Sequence, residues 1–267
     1  MPRAKRRLGQ HFLADPRILA RIADALDAGP HDTVLEIGPG RGGLTAELVK
    51  RTGSVVAIEK DRDLVAPLKE RFPSVEIVAA DALDIDWHAL VGGPYLLAGN
   101  IPYNITSPLL DKALTPPLPV RIVFLVQKEV ADRVTAAPGT SAYGALTVGI
   151  QAVASAERVF TIPAGAFQPR PKIDSAVLRL EPLKQPLVGP AEREGFRALV
   201  VGLFGFRRKQ LLRGIRELTE WSPAGVTELL RDVGIGETVR PEVLSPSDFV
   251  RLYRGLVDGG WNTGVTL

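Results

Sequence analysis

The chain has no cysteine, a single methionine and only three histidines among its 267 residues. Without cysteine there is neither a disulfide nor a thiolate zinc site. His11, His31 and His88 are scattered with no metal-ligand spacing, so no metal is expected. No stretch reaches the roughly 18 apolar residues of a membrane span, and no membrane partner is expected. The basic N-terminal stretch runs into no apolar segment, so it does not read as a secretory leader. A cytoplasmic, monomeric protein is the expectation. A chain of this length buries enough surface to fold without a staple.

Charge is present in near balance, with 33 Lys and Arg against 30 Asp and Glu, a net +3. That mild excess permits a polyanionic partner, and its distribution says more. Residues 1–17 hold Arg3, Lys5, Arg6, Arg7 and Arg17 against one acid, Asp15. A second cluster, Arg207, Arg208, Lys209, Arg213 and Arg216, precedes the acid Glu217. Arginine's planar fork suits phosphate.

Residues 33–38 read as a buried strand ending in glycine, followed by a turn over 39–43 and a helix over 44–51. Residues 54–59 form a second β-branched run ending in an acid, and a helix follows over 61–71 with Leu64 and Leu68 on one face. Further strands are expected over 75–81, 95–100, 121–127, 158–162 and 176–180. Strands alternating with helices imply a parallel sheet with right-handed crossovers. Residues 183–190 hold two prolines and a glycine and read as a linker. Beyond it, helices are expected over 192–206, 208–217, 223–233 and 246–257. Ser222-Pro223 and Ser245-Pro246 mark helix starts. The tail over 259–267 reads as disordered.

In an open α/β sheet, ligands bind at the carboxyl ends of the strands. The turn Gly38-Pro39-Gly40-Arg41-Gly42-Gly43 matches G-x-G-x-x-G and lets the backbone approach a ligand closely. Glu59 ends the second strand about 20 residues later, where a carboxylate takes both ribose hydroxyls. A dinucleotide dehydrogenase shares both features. Asp81 separates the two classes: an acid ending the third strand suits the amino group of an adenine lying across the sheet edge.

Asn100-Ile101-Pro102-Tyr103 follows the fourth strand. An exocyclic adenine nitrogen is a poor nucleophile because its lone pair is delocalised into the ring. A side-chain oxygen of Asn100 and the carbonyl of Ile101 can accept its two N–H bonds and draw it toward tetrahedral geometry. Pro102 stiffens the turn. Tyr103 offers a face for the base to stack on. A base inside a duplex cannot reach such a pocket, so the target is flipped or unpaired. Phe167, in Phe167-Gln168-Pro169-Arg170-Pro171-Lys172, is the candidate second stacking ring, with Arg170 and Lys172 placed for phosphate.

These segments carry a resemblance. Gly9-Gln10-His11-Phe12-Leu13, Leu35-Glu36-Ile37-Gly38-Pro39-Gly40, Asn100-Ile101-Pro102-Tyr103-Asn104, Gln127-Lys128-Glu129-Val130-Ala131, Ala142-Tyr143-Gly144, the run from Phe167 to Val177 and Arg207-Arg208-Lys209 occur in one order along most of the chain. In them the chain resembles the rRNA adenine N6-dimethyltransferase family. The resemblance implies a Rossmann-like class I methyltransferase sheet (α/β) with a small all-helical C-terminal subdomain. It places an S-adenosylmethionine-binding domain over 1–182 and an RNA- and ribosome-contacting subdomain over 190–267. It implies cofactor contacts at His11, Leu13, Gly38, Glu59, Asp81 and Asn100, to which the turn adds Gly40. RNA contacts are expected at Arg6, Arg7, Arg170, Lys172, Arg207, Arg208 and Lys209. His11 stands where many members have asparagine, and Ile101 where the small-subunit branch commonly has leucine. The small-subunit branch dimethylates two adjacent adenines near the 3′ end of small-subunit (16S) rRNA on an assembling 30S particle. The alternatives are the large-subunit, antibiotic-resistance branch, a ribosome assembly factor with dispensable catalysis, and a dehydrogenase.

Overall fold

The computed structural model describes residue 5 and residues 8–262. Arg6 and Arg7, and the end of the tail over 263–267, lie outside the described residues. By its internal contacts the chain divides into two compact units: residues 1–131 with 156–182, and residues 132–155 with 183–267. A linear reading puts 132–155 in the first domain, whereas its contacts group it with the C-terminal helices.

The first unit is built on a sheet whose strands run β4-β3-β2-β5-β6-β9-β7. These are β2 (Thr33–Ile37), β3 (Ser54–Glu59), β4 (Glu76–Ala79), β5 (Leu96–Asn100), β6 (Arg121–Gln127), β7 (Ala154–Ile162) and β9 (Ser175–Pro182). The pairs β2–β3, β3–β4, β2–β5 and β5–β6 are parallel, and β9 is antiparallel to β6. The central strands are near-continuous apolar runs because the parallel sheet is covered on both faces. Val34, Leu35, Leu97, Ile122, Val123 and Phe124 have no exposed surface. Strand order reverses between β2 and β5, the switch point where an α/β sheet opens a crevice.

Helix α1 (Pro16–Leu26) is capped by Asp15, whose carboxylate accepts from the Arg17 N–H, and it buries Leu19, Ile22, Ala23 and Leu26. Helices α2 (Gly43–Leu48), α3 (Arg62–Arg71), α4 (Trp87–Val91) and α5 (Thr106–Ala113) connect successive strands. Two strands of two residues each, β1 (Phe12–Leu13) and β8 (Phe167–Gln168), pair antiparallel and bring the N-terminal arm to the loop before β9.

The second unit contains α7 (Ala145–Gln151), α8 (Arg193–Gly205), α9 (Leu211–Thr219), α10 (Pro223–Asp232) and α11 (Pro246–Asp258), after α6 (Lys128–Val134) has crossed from the first unit. Ser222 and Ser245 cap α10 and α11 through their side chains, with proline at the first turn. Tyr143 is fully buried and donates to the Leu244 carbonyl at 2.7 Å. Phe204 stacks on Phe249 at 5.7 Å, and Gly255 admits Leu229, whose Cδ1 lies 2.7 Å from where a Cβ would stand.

Candidate active site

A cavity of about 540 Å³ opens at the carboxyl ends of β2, β3, β4 and β5, within the first unit. Its walls include His11, Leu13, Gly38, Gly40, Glu59, Asp81, Asn100, Ile101, Pro102 and Tyr103. The residues singled out for cofactor and target amine therefore share one crevice.

Gly38, Gly40 and Gly42 all have positive φ, the left-handed region that disfavours a side chain. At Gly40 a Cβ would also stand 3.0 Å from the Phe12 ring, so a side chain there would press the ring of the arm aside. The turn is held from the next strand: Gly40 N–H donates to Glu59 Oε2 at 2.9 Å and Asp61 N–H to Glu59 Oε1 at 2.7 Å. Glu59 is 5% exposed. Burial raises its pKa, against the opposing pull of those two N–H groups. Asp81 accepts from the Leu83 N–H at 3.1 Å and pairs with Lys60. Burial alone would raise its carboxyl, but the Lys60 ammonium and the Leu83 N–H prevail and hold it below the usual range.

Asn100 ends β5, and the next N–H, that of Ile101, continues the ladder to the Leu125 carbonyl at 3.1 Å. A Cβ at Gly99 would stand 2.6 Å from the Ile37 carbonyl oxygen, so the strand approach that sets Asn100 depends on glycine. Asn100 Nδ2 donates to the His11 carbonyl at 2.9 Å. This bond orients the amide and leaves Oδ1 as the acceptor of a residue in the cavity wall. The Pro102 carbonyl is taken up by the following turn, accepting from Ile105 N–H at 3.1 Å and Thr106 Oγ1 at 3.4 Å. The Ile101 carbonyl, one residue earlier, is the natural second acceptor.

The structure moves two expectations. Phe167 is 5% exposed, lies in the core with Leu13, Ile162 and Val177, and does not line the cavity. Its short strand turns the ring inward, so it offers no stacking face here. The ring on Tyr103 is instead that of His11, at 5.6 Å and 22°, with Nδ1 bonded to the Pro169 carbonyl at 2.8 Å. In the second unit, Arg207 is engaged within the fold. Its Nε donates to Glu242 at 2.7 Å and its Nη2 to the Thr140 and Ser141 carbonyls at 3.1 Å. Lys209 lies over the Phe206 ring and 3.7 Å from Glu217. Arg208, Arg170 and Lys172 are exposed.

Three groups of the site escape sequence inspection. Lys5 and Gln10 both bond Asp61, which is 2% exposed, and so tie the arm to the end of β3. Ser175 meets the Tyr103 hydroxyl at 2.7 Å. Glu36, 1% exposed on β2, accepts from Thr45 Oγ1 at 2.6 Å. Burial pushes the Glu36 carboxyl up to about 8, with the Thr45 bond opposing and the charge of Glu59 adding.

The raised Glu36 carboxyl carries a stability prediction. Its folded value of about 8 lies above the unfolded 4.5, so its contribution is intact below the unfolded value. That contribution is lost as pH rises through the folded value. Glu36→Gln keeps the Thr45 bond without a proton to lose. The Tm difference, variant minus wild type, is expected to be several degrees more positive at high pH, about 8.5, than at about 5.5. A difference that stays constant across that range would contradict a protonated Glu36.

A seven-stranded, mostly parallel sheet with a glycine turn at its switch point and acids at the ends of the neighbouring strands is the class I methyltransferase fold. The chain belongs to the ribosomal RNA adenine dimethylase family, whose model matches residues 1–257. It is 42% identical to ribosomal RNA small subunit methyltransferase A of Geobacter metallireducens over 264 residues, covering 96% of both chains. Against the protein of the same name from Xanthomonas euvesicatoria it is 41% identical over 254 residues, 93% of this chain and 95% of that one. Among solved structures, a dimethyladenosine transferase from Plasmodium falciparum superposes with a TM-score of 0.83 at 26% identity, covering 94% of this chain and 98% of that one. The 23S rRNA methyltransferase ErmE superposes with a TM-score of 0.74 at 30% identity, covering 92% and 99%.

Proposed function

We propose that the protein is an S-adenosylmethionine-dependent rRNA adenine N6,N6-dimethyltransferase that modifies two adjacent adenines near the 3′ end of small-subunit rRNA during subunit assembly. The single observation that carries this is the juxtaposition of Asn100 and Tyr103 with Gly40, Glu59 and Asp81 around one crevice. Relatives at 41–42% identity over nearly full length bear a small-subunit name, whereas ErmE stands at 30%. That contrast favours the small-subunit substrate over the large-subunit one.

The donor set fits the cofactor. Glu59 suits the ribose hydroxyls, Asp81 the adenine amino group, and the backbone of the glycine turn a close approach along the chain between them. When bound, S-adenosylmethionine supplies an activated methyl group, so no metal is needed to create the electrophile. The protein's share is orientation and charge placement. Asn100 Oδ1 and the Ile101 carbonyl accept the two N–H bonds of the target amine. Tyr103 stacks on the base, which is worth roughly 1–3 kcal/mol. Exposed Arg170 and Lys172, which follow the cavity-lining Gln168 in sequence, suit RNA phosphates, which position the strand while a splayed base provides selection. Arg208 offers a further phosphate contact from the second unit.

The test is transfer of tritiated methyl groups from S-adenosylmethionine to immature small subunits and to large-subunit RNA. Label is expected in the small-subunit rRNA, as N6,N6-dimethyladenosine. Label confined to large-subunit RNA would overturn the substrate, and no label on either would overturn the activity.

A further inference from the structure

We propose that Ser175 is a positioning residue for methyl transfer: its hydroxyl holds the tip of the Tyr103 ring and so fixes where the face on which the target adenine stacks lies. This rests on the adenine-methyltransferase reading above.

Ser175 opens β9, paired opposite Gln127 of β6, and it has no exposed surface. Ala176, Val177 and Leu178, which follow it, are equally buried and apolar. A hydroxyl in that row gains nothing from packing, and it would be costly if left without a partner. Its side-chain partner is the Tyr103 hydroxyl, 2.7 Å away and 72 residues earlier.

The two ends of this bond differ in how firmly they are held. Ser175 sits at a strand end fixed by its ladder and by Asp174, whose carbonyl accepts from Lys128 N–H at 3.0 Å and whose carboxylate accepts from Ala164 N–H at 2.9 Å. Tyr103 begins a single 3₁₀ turn over Tyr103–Ile105, outside any regular ladder. A tyrosine ring there keeps two soft torsions, and stacking by His11 restrains its tilt but not its rotation in plane. A bond at the far tip of the ring removes that freedom. Control therefore runs from the strand to the ring. A ring that swings in its own plane shifts the stacking face sideways and misplaces the amine relative to Asn100, and transfer is steeply sensitive to such placement.

The phenol offers a direct readout of the same contact. Burial raises the Tyr103 hydroxyl pKa and the Ser175 bond opposes that rise. The experiment is a double-mutant cycle on the full-length protein, using Ser175→Ala, Tyr103→Phe and the double variant. Single-turnover rates, the KM for RNA and the Kd for S-adenosylmethionine are measured for each. Ser175→Ala is expected to lower the rate roughly 10- to 50-fold with little change in cofactor Kd, and Ser175→Thr to recover most of the loss. Tyr103→Phe removes the same bond, so the double variant should be no slower than the worse single variant. The Tyr103 ionisation, isolated as an ultraviolet difference against Tyr103→Phe, should move to higher pH in Ser175→Ala. Ser175→Cys, nearly isosteric but a weak hydrogen-bonding group, gives the same comparison if alanine loosens the strand end. Rates that multiply in the double variant, or a Tyr103 titration unmoved by Ser175→Ala, would overturn the proposal. A wild-type protein inactive on every RNA would overturn the functional reading instead, while the titration would still report on the bond.

Discussion

Asn100→Ala is expected to lose methyl transfer by about 10³-fold or more, with its Tm almost unchanged. The magnitude follows from two roles carried by one amide. Its Nδ2 donates to the His11 carbonyl, so the amide is already oriented before a base arrives. Its oxygen is then a preorganised acceptor, and removing one such group costs on the order of 10²–10³ in rate. Alanine also removes one bond to the backbone of His11, whose ring covers Tyr103 and stays tied to the Pro169 carbonyl. Stability should survive because the backbone of residue 100 is fixed by its pairing with Leu125, not by its side chain. Asn100→Asp separates the two roles. A carboxylate still accepts from the target amine but cannot donate to His11, so an intermediate rate is expected. Turnover and thermal melts of the three proteins check this, and Asn100→Ala activity within tenfold of wild type would remove Asn100 from the chemistry.

Glu59→Ala should weaken S-adenosylmethionine by roughly 10²- to 10⁴-fold. Hydrogen bonds to a charged group are each worth about 1.5–3 kcal/mol, and two ribose hydroxyls are lost together. The variant also leaves the N–H groups of Gly40 and Asp61 without their acceptor, so the glycine turn loses its anchor to β3. Glu59→Gln, which keeps the size and one acceptor, should fall between. The cofactor needs the ionised form, and burial raises the Glu59 carboxyl. Wild-type affinity should therefore begin to fall, on acidification, at a higher pH than an ordinary carboxylate would dictate. Calorimetric titration of cofactor against pH measures both effects. A Glu59→Ala dissociation constant within a few-fold of wild type would reassign the ribose site.

Much of the sheet is legible because β2, β3, β5 and β6 are largely apolar runs, β-branched in all but β5, that run into glycine, an acid or an amide. Buried parallel strands have this character, and their ends are where the site lies. The crevice could be read for the same reason: Gly38, Glu59, Asp81 and Asn100 each lie at or just past the end of a strand. β1 and β8 could not be read, since two residues carry no periodicity and pair only after the arm has folded across the site. Glu36 reads as an ordinary motif acid, and only the fold shows that Ala57 and Ala98 flank it in the sheet and leave it buried. Phe167 misleads because prolines follow it and suggest an exposed loop, whereas its pairing with Leu13 turns the ring inward. Arg207 looks like part of a basic face because its partner, Glu242, lies 35 residues further on. Lys5 with Asp61 and Tyr103 with Ser175 are joined by tertiary structure in the same way, and no spacing rule reaches across 56 or 72 residues.

The most direct measurement is mass spectrometry of nucleosides from the ribosomal RNA of cells lacking this protein, beside cells that regain it. N6,N6-dimethyladenosine should vanish from small-subunit RNA in the first and return in the second, with the Asn100→Ala protein failing to restore it. An unchanged amount of that nucleoside in small-subunit RNA from cells without the protein would contradict a pocket built to hold an adenine amine beside an activated methyl group.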